Sequence, residues 1–160
     1  MDDRMFRTAM GKFATGVTVI AAEAEGEIRG MTANAFMSVS LDPKLILISV
    51  ADNARMNKMI KQAKKFTINI LNSEQKETSM IFAGQLQSAK EVTFGRFEGL
   101  PMVKDALVSF ACELYQSHEA GDHTLFIGEV INLSIQDGEP LAFYEGNYME
   151  VSACENMHLS

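Results

Sequence analysis

The sequence predicts an α+β domain built mainly from antiparallel strands, with two or three short helices beside them. Several stretches alternate apolar and polar residues with the period of a β-strand, and short turns rich in Gly, Asp and Pro join most of them. Helical spacing is less common, and strands and helices do not alternate regularly, so we do not expect a doubly wound parallel sheet. Closure of about six or seven twisted strands into a barrel would remove exposed sheet edges.

Size and charge limit the possible functions. The 160 residues suit a single domain over 1–160, and a net charge of −7 disfavours general binding to nucleic acid, which needs a cationic surface. No apolar run reaches the roughly 18 residues of a membrane span, and "MDDRMFRTAM" lacks the basic and apolar regions of a signal peptide. We therefore expect a cytoplasmic protein that binds neither nucleic acid nor membranes. Cys112 and Cys154 form no disulfide framework, and Cys112 is expected in the core.

The chain is expected to begin with a helix and a hairpin. An Asp that can cap a helix precedes apolar residues at helical spacing. These residues are Met5, Phe6, Ala9, Met10 and Phe13. The next segment, "GVTVIAAEAEGEIRG" (16–30), predicts two strands around a turn at Glu25-Gly26.

The stretch "GMTANAFMSVSLDP" (30–43) is expected to continue the second strand until Asp42-Pro43 ends it. Its alternate residues from Met31 to Leu41 are apolar and are expected to face the barrel interior. The other face, from Thr32 to Ser40, carries small uncharged polar residues apart from one Phe. Such a face either packs beneath a helix or lies against a flat ligand that forms hydrogen bonds. The pattern alone leaves both interpretations open.

A buried strand, "KLILISV" (44–50), and a basic helix are expected next. Asp52 or Asn53 would cap the helix, and its buried stripe would consist of Met56, Met59, Ile60 and Ala63. No acidic residue accompanies its cations, which are Arg55, Lys58, Lys61, Lys64 and Lys65. The basic face is either solvated or marks a phosphate site near the helix start, where the helix dipole also attracts anions.

The second half is expected to contain one more helix and a long hairpin. Residues 85–106 show no clear period and predict a loop with short ordered pieces. The remaining elements are a strand "FTINIL" (66–71), a helix capped by Ser73 and ended by Gly84, a hairpin over 107–135 around "HEAGD", a turn "QDGEP" (136–140), and a last strand and tail "LAFYEGNYMEV" (141–151).

Two further features are candidates for chemistry. His123 in "GDH" (121–123) is either an exposed turn residue or a group that donates a hydrogen bond or changes charge near neutral pH. The aromatic cluster "FYEGNY" (143–148) either packs on the barrel rim or stacks on a nucleotide ring. The sequence has no glycine-rich phosphate motif and no metal-ligand spacing. Any nucleotide would therefore be held by other means.

Several segments occur in an order typical of one family, and "T-A-N-A-F-x-S-V-S-x-x-P" with a downstream "G-D-H" is a specific combination. The segments are "FATGVTVI" (13–20), "GMTANAFMSVSLDP" (30–43), "FTINIL" (66–71), "IFAG" (81–84), "GDHTLFIGEV" (121–130) and "PLAFYEGNY" (140–148). The sequence thereby resembles the flavin reductase family, whose fold is an FMN-binding split barrel, over about residues 6–148.

The resemblance implies the positions of the site residues. The isoalloxazine ring and ribityl chain would be lined by Met31, Thr32, Ala33, Asn34, Ala35, Ser38, Val39 and Ser40. The flavin phosphate would lie by Ala54, Arg55, Asn57 and Lys58, with Phe82, Ala83 and Gly84 closing that end. The nicotinamide would face the candidate catalytic residue His123 and be flanked by Phe143, Tyr144 and Tyr148. Many relatives carry Ser-x-Thr where this chain has Ala54-Arg55-Met56, so Arg55 or Lys58 would replace hydroxyl contacts by charge.

The resemblance also implies an activity, in which NADH or NADPH reduces FMN or FAD by hydride transfer. It further implies a homodimer and a flavin-dependent monooxygenase that receives the reduced flavin. The sequence is most similar to reductase components of two-component aromatic monooxygenases, such as the 4-hydroxyphenylacetate 3-monooxygenase system. Two alternatives remain at this point: a flavin-binding electron carrier or sensor that does not oxidise NAD(P)H, and a general flavin reductase without a dedicated oxygenase.

Overall fold

The computed structural model describes residues 1–87 and 92–154. Its elements follow the chain in this order: α1 (Asp3–Gly11), β1 (Thr15–Gly16), β2 (Thr18–Ala24), β3 (Glu27–Ala33), β4 (Phe36–Leu41), β5 (Lys44–Ala51), α2 (Arg55–Ala63), β6 (Lys65–Ile70), a 3₁₀ turn (Ser73–Gln75), α3 (Lys76–Phe82), β7 (Phe94–Phe97), β8 (Leu100–Val103), β9 (Val108–Ala120), β10 (His123–Ile135), β11 (Ala142–Tyr144) and β12 (Asn147–Met149). No helix of the described ranges is long and apolar enough to cross a membrane.

The main sheet has seven antiparallel strands in the order β3-β2-β6-β9-β10-β5-β4. Its two edge strands, β3 and β4, are consecutive in the chain and are joined only by Asn34 and Ala35. Because so few residues span at most roughly 11 Å, the opposite edges of the sheet must meet at this point. The sheet therefore curls into a barrel that is split between β3 and β4, which confirms the predicted fold class.

The barrel interior is a continuous apolar core. Phe66 and Phe126 are its largest fully buried side chains, and α2 closes it with Met56, Met59 and Ile60. A Cβ at Gly128 would lie 2.9 Å from the Phe66 ring, so glycine lets the ring pack directly against β10. Cys112 is 1% exposed, as predicted, and burial raises the pKa of its thiol to about 12. It is therefore a packing residue rather than a nucleophile.

A second cluster of buried side chains packs against α3 and the β7–β8 hairpin. Its fully buried members are Val17, Val19, Leu71, Val103 and Leu141. Asn69 fastens the hairpin to the sheet, because its Oδ1 accepts hydrogen bonds from the backbone N–H of Val103 and from the Ser109 hydroxyl. The expected loop over 85–106 is thus partly ordered as a hairpin, while residues 88–91 lie outside the described ranges.

The prediction of one continuous strand over 30–43 is wrong. The chain turns from one sheet edge to the other at Asn34 and Ala35, and a bulge between Ser38 and Ser40 shifts the register again. The alternation of β3 therefore does not continue in phase through β4. Met37, Val39 and Leu41, which were expected inside the barrel, are 56%, 45% and 88% exposed.

Phe36 shows the same change of phase, because it packs against the core although its position in the alternation matched the polar face.

Local predictions at other element ends also need correction. The N-cap of α2 is Ala54, which makes no side-chain cap, and the 3₁₀ turn before α3 is capped by Asn72 rather than Ser73. The single strand expected near the C-terminus is a hairpin of β11 and β12.

Candidate functional site

A cleft opens where β3 leaves the barrel, between α3 and the β11–β12 hairpin. We call it the Asn34 cleft; it is lined by Val17, Thr32, Ala33, Asn34, Ser79, Ala83, Gln85, Phe143 and Tyr148. It encloses about 150 Å³. That volume is below the roughly 300–1,000 Å³ of typical ligand pockets, so a flat ligand would remain partly open to solvent. An open face allows a second planar molecule to stack on the first.

A second cavity adjoins this cleft and shares Val17 and Asn34 with it. It has a volume of about 370 Å³ and is also lined by Thr15 and Phe36. The Thr15 hydroxyl is buried, and no polar group of the described residues bonds to it. A buried hydroxyl without a partner is costly, so this atom is a candidate contact for a polar ligand group.

Hydrogen bonds tie the walls of the Asn34 cleft together. The Thr32 hydroxyl donates to the carbonyl of Ser79 at 2.6 Å, and the Ser79 and Tyr148 hydroxyls are 2.8 Å apart. β3, α3 and β12 are thereby joined at one place. The Phe143 and Tyr148 rings meet edge to face at 5.4 Å. The result is a cleft wall of small, uncharged groups with an aromatic rim.

Gly30 sets the distance between α3 and β3. A Cβ at this position would lie 2.6 Å from the Phe82 ring, closer than real contacts allow. Phe82 itself packs against Phe94, with ring centres 5.3 Å apart. Glycine at position 30 therefore lets α3 approach closely enough for Ser79 to reach Thr32.

The turn between β9 and β10 is fixed to the start of α2. The backbone N–H of Asp52 donates to the Asp122 carbonyl at 3.0 Å, and the Thr124 hydroxyl donates to Asp52 Oδ1 at 2.6 Å. His123 Nδ1 lies 2.7 Å from Asp122 Oδ1. This hydrogen bond, followed by the charge on the ring, lowers the pKa of the Asp122 carboxyl below its ordinary value. The His123 side chain is 44% exposed, so the ring is held by its neighbour and open to a ligand.

The start of the basic helix α2 offers an anion positive charge and backbone N–H groups rather than a set of free side-chain ligands. Arg55 is exposed and pairs with Glu27 at 3.1 Å. Lys58 is also exposed, and no carboxylate of the described residues forms an ion pair with it. Asn57 is buried, and its Nδ2 donates to the carbonyl of Val50 at 3.3 Å. Its side chain is therefore engaged inside the protein, whereas the first N–H groups of α2 have no side-chain cap.

Comparison with known proteins identifies the family. A family described as "Flavin reductase like domain" matches residues 10–152. The chain belongs to the flavin reductase family. It is similar to an NADH-dependent flavin reductase of a Rhodococcus species, with 46% identity over 145 residues, covering 89% of this chain and 82% of the relative. It is also similar to the 4-hydroxyphenylacetate 3-monooxygenase reductase component of Thermus thermophilus, with 36% identity over 144 residues, covering 89% and 93%.

A solved structure of the same family agrees over almost the whole chain. The flavin reductase PheA2 in its native state superposes with a TM-score of 0.92 at 54% identity, covering 96% of this chain and 100% of that one. The split-barrel fold of this flavin reductase family member is therefore established by likeness as well as by its own topology.

The residues expected to hold the flavin ring or to flank the nicotinamide fall into two groups. Thr32, Ala33, Asn34, Ala83, Phe143 and Tyr148 converge on the Asn34 cleft. The remaining residues lie around it: Met31 faces the core, Ala35 lies at the corner, Ser38, Val39 and Ser40 lie on β4, Phe82 packs on β3 beneath α3, Gly84 follows α3 at a positive φ of 72°, and Tyr144 is half-buried on β11.

Sequence reasoning missed three residues that line the cleft: Val17, Ser79 and Gln85. Ser79 is fully buried and lies one turn before Phe82 and Ala83 on α3. Helical spacing from those residues would have placed it on the same face. No local pattern indicates Val17, which reaches the cleft only through the barrel's long-range pairing.

Proposed function

We propose that this flavin reductase family member is an NAD(P)H:flavin oxidoreductase that reduces FMN or FAD and supplies the reduced flavin to a monooxygenase. The observation that carries the proposal is the Asn34 cleft, whose small uncharged wall suits a flat heteroaromatic ring. The relatives at 46% and 36% identity bear names that describe this activity. The alternative of an electron carrier has no observation in its favour.

The described residues fit a flavin. Thr32, Asn34 and Tyr148 offer hydroxyl and amide groups at the cleft, and Ala33 and Ala83 leave room for a ring near the backbone. The free Thr15 hydroxyl in the adjoining cavity adds a further donor. A bound flavin supplies the hydride acceptor, which with one proton from solvent balances oxidation of the reduced nicotinamide. The chain itself has to hold the two rings together and keep the second face open.

His123 is proposed to orient the nicotinamide. Its ring is half-exposed, and Asp122 fixes its orientation by accepting from Nδ1 when that nitrogen carries the proton. Hydride transfer between the two ring systems needs no strict acid or base from the protein. His123 is therefore a residue that improves binding and alignment rather than one without which the reaction stops.

The start of α2 is proposed to hold the flavin phosphate. Its uncapped N–H groups and the exposed Lys58 favour an anion, and Arg55 is available through exchange of its exposed Glu27 partner. Asn57 contributes its backbone position rather than its side chain, because its Nδ2 is bonded inside.

A homodimer is proposed to cover the exposed apolar side chains of α1, of Phe13 just after it, and of β4. Patches of this kind on a soluble protein mark interaction surfaces. Their members, between 45% and 88% exposed, are Met5, Phe6, Met10, Phe13, Met37, Val39 and Leu41. Light scattering of the native chain should give twice the monomer mass, and Leu41→Glu should lower it. A native monomer at micromolar concentration would contradict this part of the proposal.

The activity test uses purified protein, reduced nicotinamide and added flavin. We expect NADH or NADPH absorbance to fall as many equivalents of FMN or FAD are turned over, which also identifies the preferred pair. Asn34→Asp should weaken flavin binding while the protein stays folded, because it places a charge against the ring. Asn147→Asp, at an exposed position on β12, is the matched control. Such a reaction, which consumes NAD(P)H, is expected in the cytoplasm.

A further inference from the structure

A third cavity, larger than the other two, lies apart from the Asn34 cleft, between α1 and the turn that joins β11 to β12. We call it the helix cavity; it encloses about 590 Å³ and is lined by Asp3, Arg4, Arg7, Thr8, Gly11, Glu145 and Gly146. This volume lies within the range of small-molecule sites. The expected roles of the sequence motifs do not account for it, because α1 was predicted only as a capped helix with apolar residues at helical spacing.

The helix cavity and the Asn34 cleft share the β11–β12 hairpin. Phe143 and Tyr148 line the cleft, and Glu145 and Gly146 at the hairpin's turn line the cavity. The backbone N–H of Glu145 donates to the carbonyl of Gly11 at 3.0 Å, which fixes α1 against this turn. The same hairpin therefore forms part of the wall of the cleft and part of the wall of the cavity.

The His123 turn also lies near the helix cavity. The charge of Arg7 is close enough to Asp122 to contribute to the lowered pKa of that carboxyl. Arg7 is thus near both the cavity and the turn that carries His123. In a pyridine dinucleotide, one ribose separates the nicotinamide from the diphosphate. If the nicotinamide lies at His123, the diphosphate would therefore lie one ribose away from this turn.

We propose that the helix cavity binds the diphosphate of the pyridine dinucleotide, with Arg4 and Arg7 as its cationic contacts. The inference rests on the proposed function, because it assigns a place to that reaction's co-substrate. Arg4 and Arg7 are spaced i and i+3, so they lie on one side of α1. Guanidinium groups bind phosphate oxygens with two parallel hydrogen bonds, which gives both affinity and orientation.

The charges that line the helix cavity favour an anion on balance. Among the described residues, neither Arg4 nor Arg7 has a carboxylate within 4.0 Å. Glu145 is paired with Lys12, so its charge is compensated. Asp3 is the remaining carboxylate that lines the cavity, and it opposes an anion there. Its removal should therefore act in the direction opposite to removal of an arginine.

The kinetic test compares Arg7→Ala and Arg4→Ala/Arg7→Ala with the native enzyme. KM for the dinucleotide should rise about tenfold or more, as expected for loss of charge-assisted hydrogen bonds, with little change in kcat. The flavin Kd should stay unchanged. Asp3→Asn should lower the KM, and Arg7→Lys should recover part of the loss. Lys104→Ala, which removes one positive charge beside a different cavity, is the control.

A smaller hydride donor tests whether the arginines act on the diphosphate or on the nicotinamide. N-benzyl-1,4-dihydronicotinamide lacks ribose and phosphate, so its kcat/KM should be the same for native and variant enzymes after subtraction of its direct reaction with flavin. An equal loss with both donors would overturn the proposal, because it would mean that the arginines act on the nicotinamide or on the fold. An unchanged KM for the dinucleotide would overturn it as well.

A binding measurement keeps this inference separate from the proposed function. ADP should bind the FMN-saturated native chain by calorimetry, and binding should weaken in Arg4→Ala/Arg7→Ala but not in Lys104→Ala. Absent ADP binding, or equal binding in all variants, would overturn the helix-cavity assignment. Failure of the native chain to oxidise NADH or NADPH would instead count against the proposed function.

Discussion

Gly30 provides the most sharply defined perturbation of the site. In Gly30→Ala the added Cβ would lie 2.6 Å from the Phe82 ring, so the ring and α3 must shift. Overpacking of this kind costs about 1–3 kcal/mol. For a domain of this size, each kcal/mol lowers Tm by roughly 2–4 °C, so the expected loss is roughly 2–12 °C. The same shift moves Ser79 away from Thr32 and widens the Asn34 cleft, so flavin binding should weaken as well.

Thermal unfolding and fluorescence titration of FMN measure these effects. Gly16→Ala is the matched control for thermal stability, because a Cβ there meets nothing within 4 Å. Both substitutions restrict the unfolded chain equally, so their difference isolates the contact with Phe82. Phe82→Leu in the Gly30→Ala background should recover stability, since the pair shares one contact. Unchanged Tm and FMN affinity in Gly30→Ala would refute the claim that this glycine sets the cleft.

The remaining predictions concern His123, the start of α2, and the exposed edge of β4. His123→Ala should raise KM for NAD(P)H and lower kcat with the flavin Kd nearly intact; unchanged steady-state kinetics would remove His123 from the site. Arg55→Ala/Lys58→Ala should weaken FMN more than riboflavin in fluorescence titrations, and equal losses would argue against a phosphate site. Val39→Asp should weaken the proposed dimer while the protomer stays folded, because the side chain is 45% exposed on the single chain; loss of the β-sheet signal in circular dichroism would contradict this placement. The Asp122 carboxyl should titrate by NMR below its ordinary pKa, so its pairing persists at higher pH and is lost as pH falls through that lowered pKa; an unchanged titration in His123→Ala would disprove the pairing.

The hairpins were predictable because their signals are local. Glu25 and Gly26 have positive φ values of 52° and 78°, the conformation that short hairpin turns require. The long β9–β10 hairpin turns at Gly121 and Asp122, where the sequence offers glycine and a short polar residue. In both places the turn residues and the alternation of the flanking strands predict the same hairpin.

The corner between β3 and β4 could not be predicted from alternation. The eleven residues from Met31 to Leu41 alternate except at Phe36, yet the two halves pair with different strands at opposite edges of the sheet. Pairing partners far away in the chain decide which face is buried. The local pattern therefore predicted the small polar face at Thr32 and Asn34, which line the cleft. It wrongly predicted that Met37, Val39 and Leu41 face the barrel interior.

Contacts between distant residues account for most of what was missed in the site. Ser79 and Tyr148 are 69 residues apart, and Asp52 and Thr124 are 72 apart, so no local signal announces either pair. Asp52 is a good capping residue that instead accepts from Thr124. The cap at Asn72 was available in the sequence, because Gln75 three residues later completes a capping box.

The most direct test of the account is turnover of added flavin by the purified chain. With reduced nicotinamide in excess and FMN or FAD supplied in many equivalents, the account predicts continuous oxidation of NADH or NADPH and reduction of flavin far beyond one equivalent per protomer. Reduction that stops at one equivalent, or flavin that is reduced only by another donor, would contradict it and indicate an electron carrier.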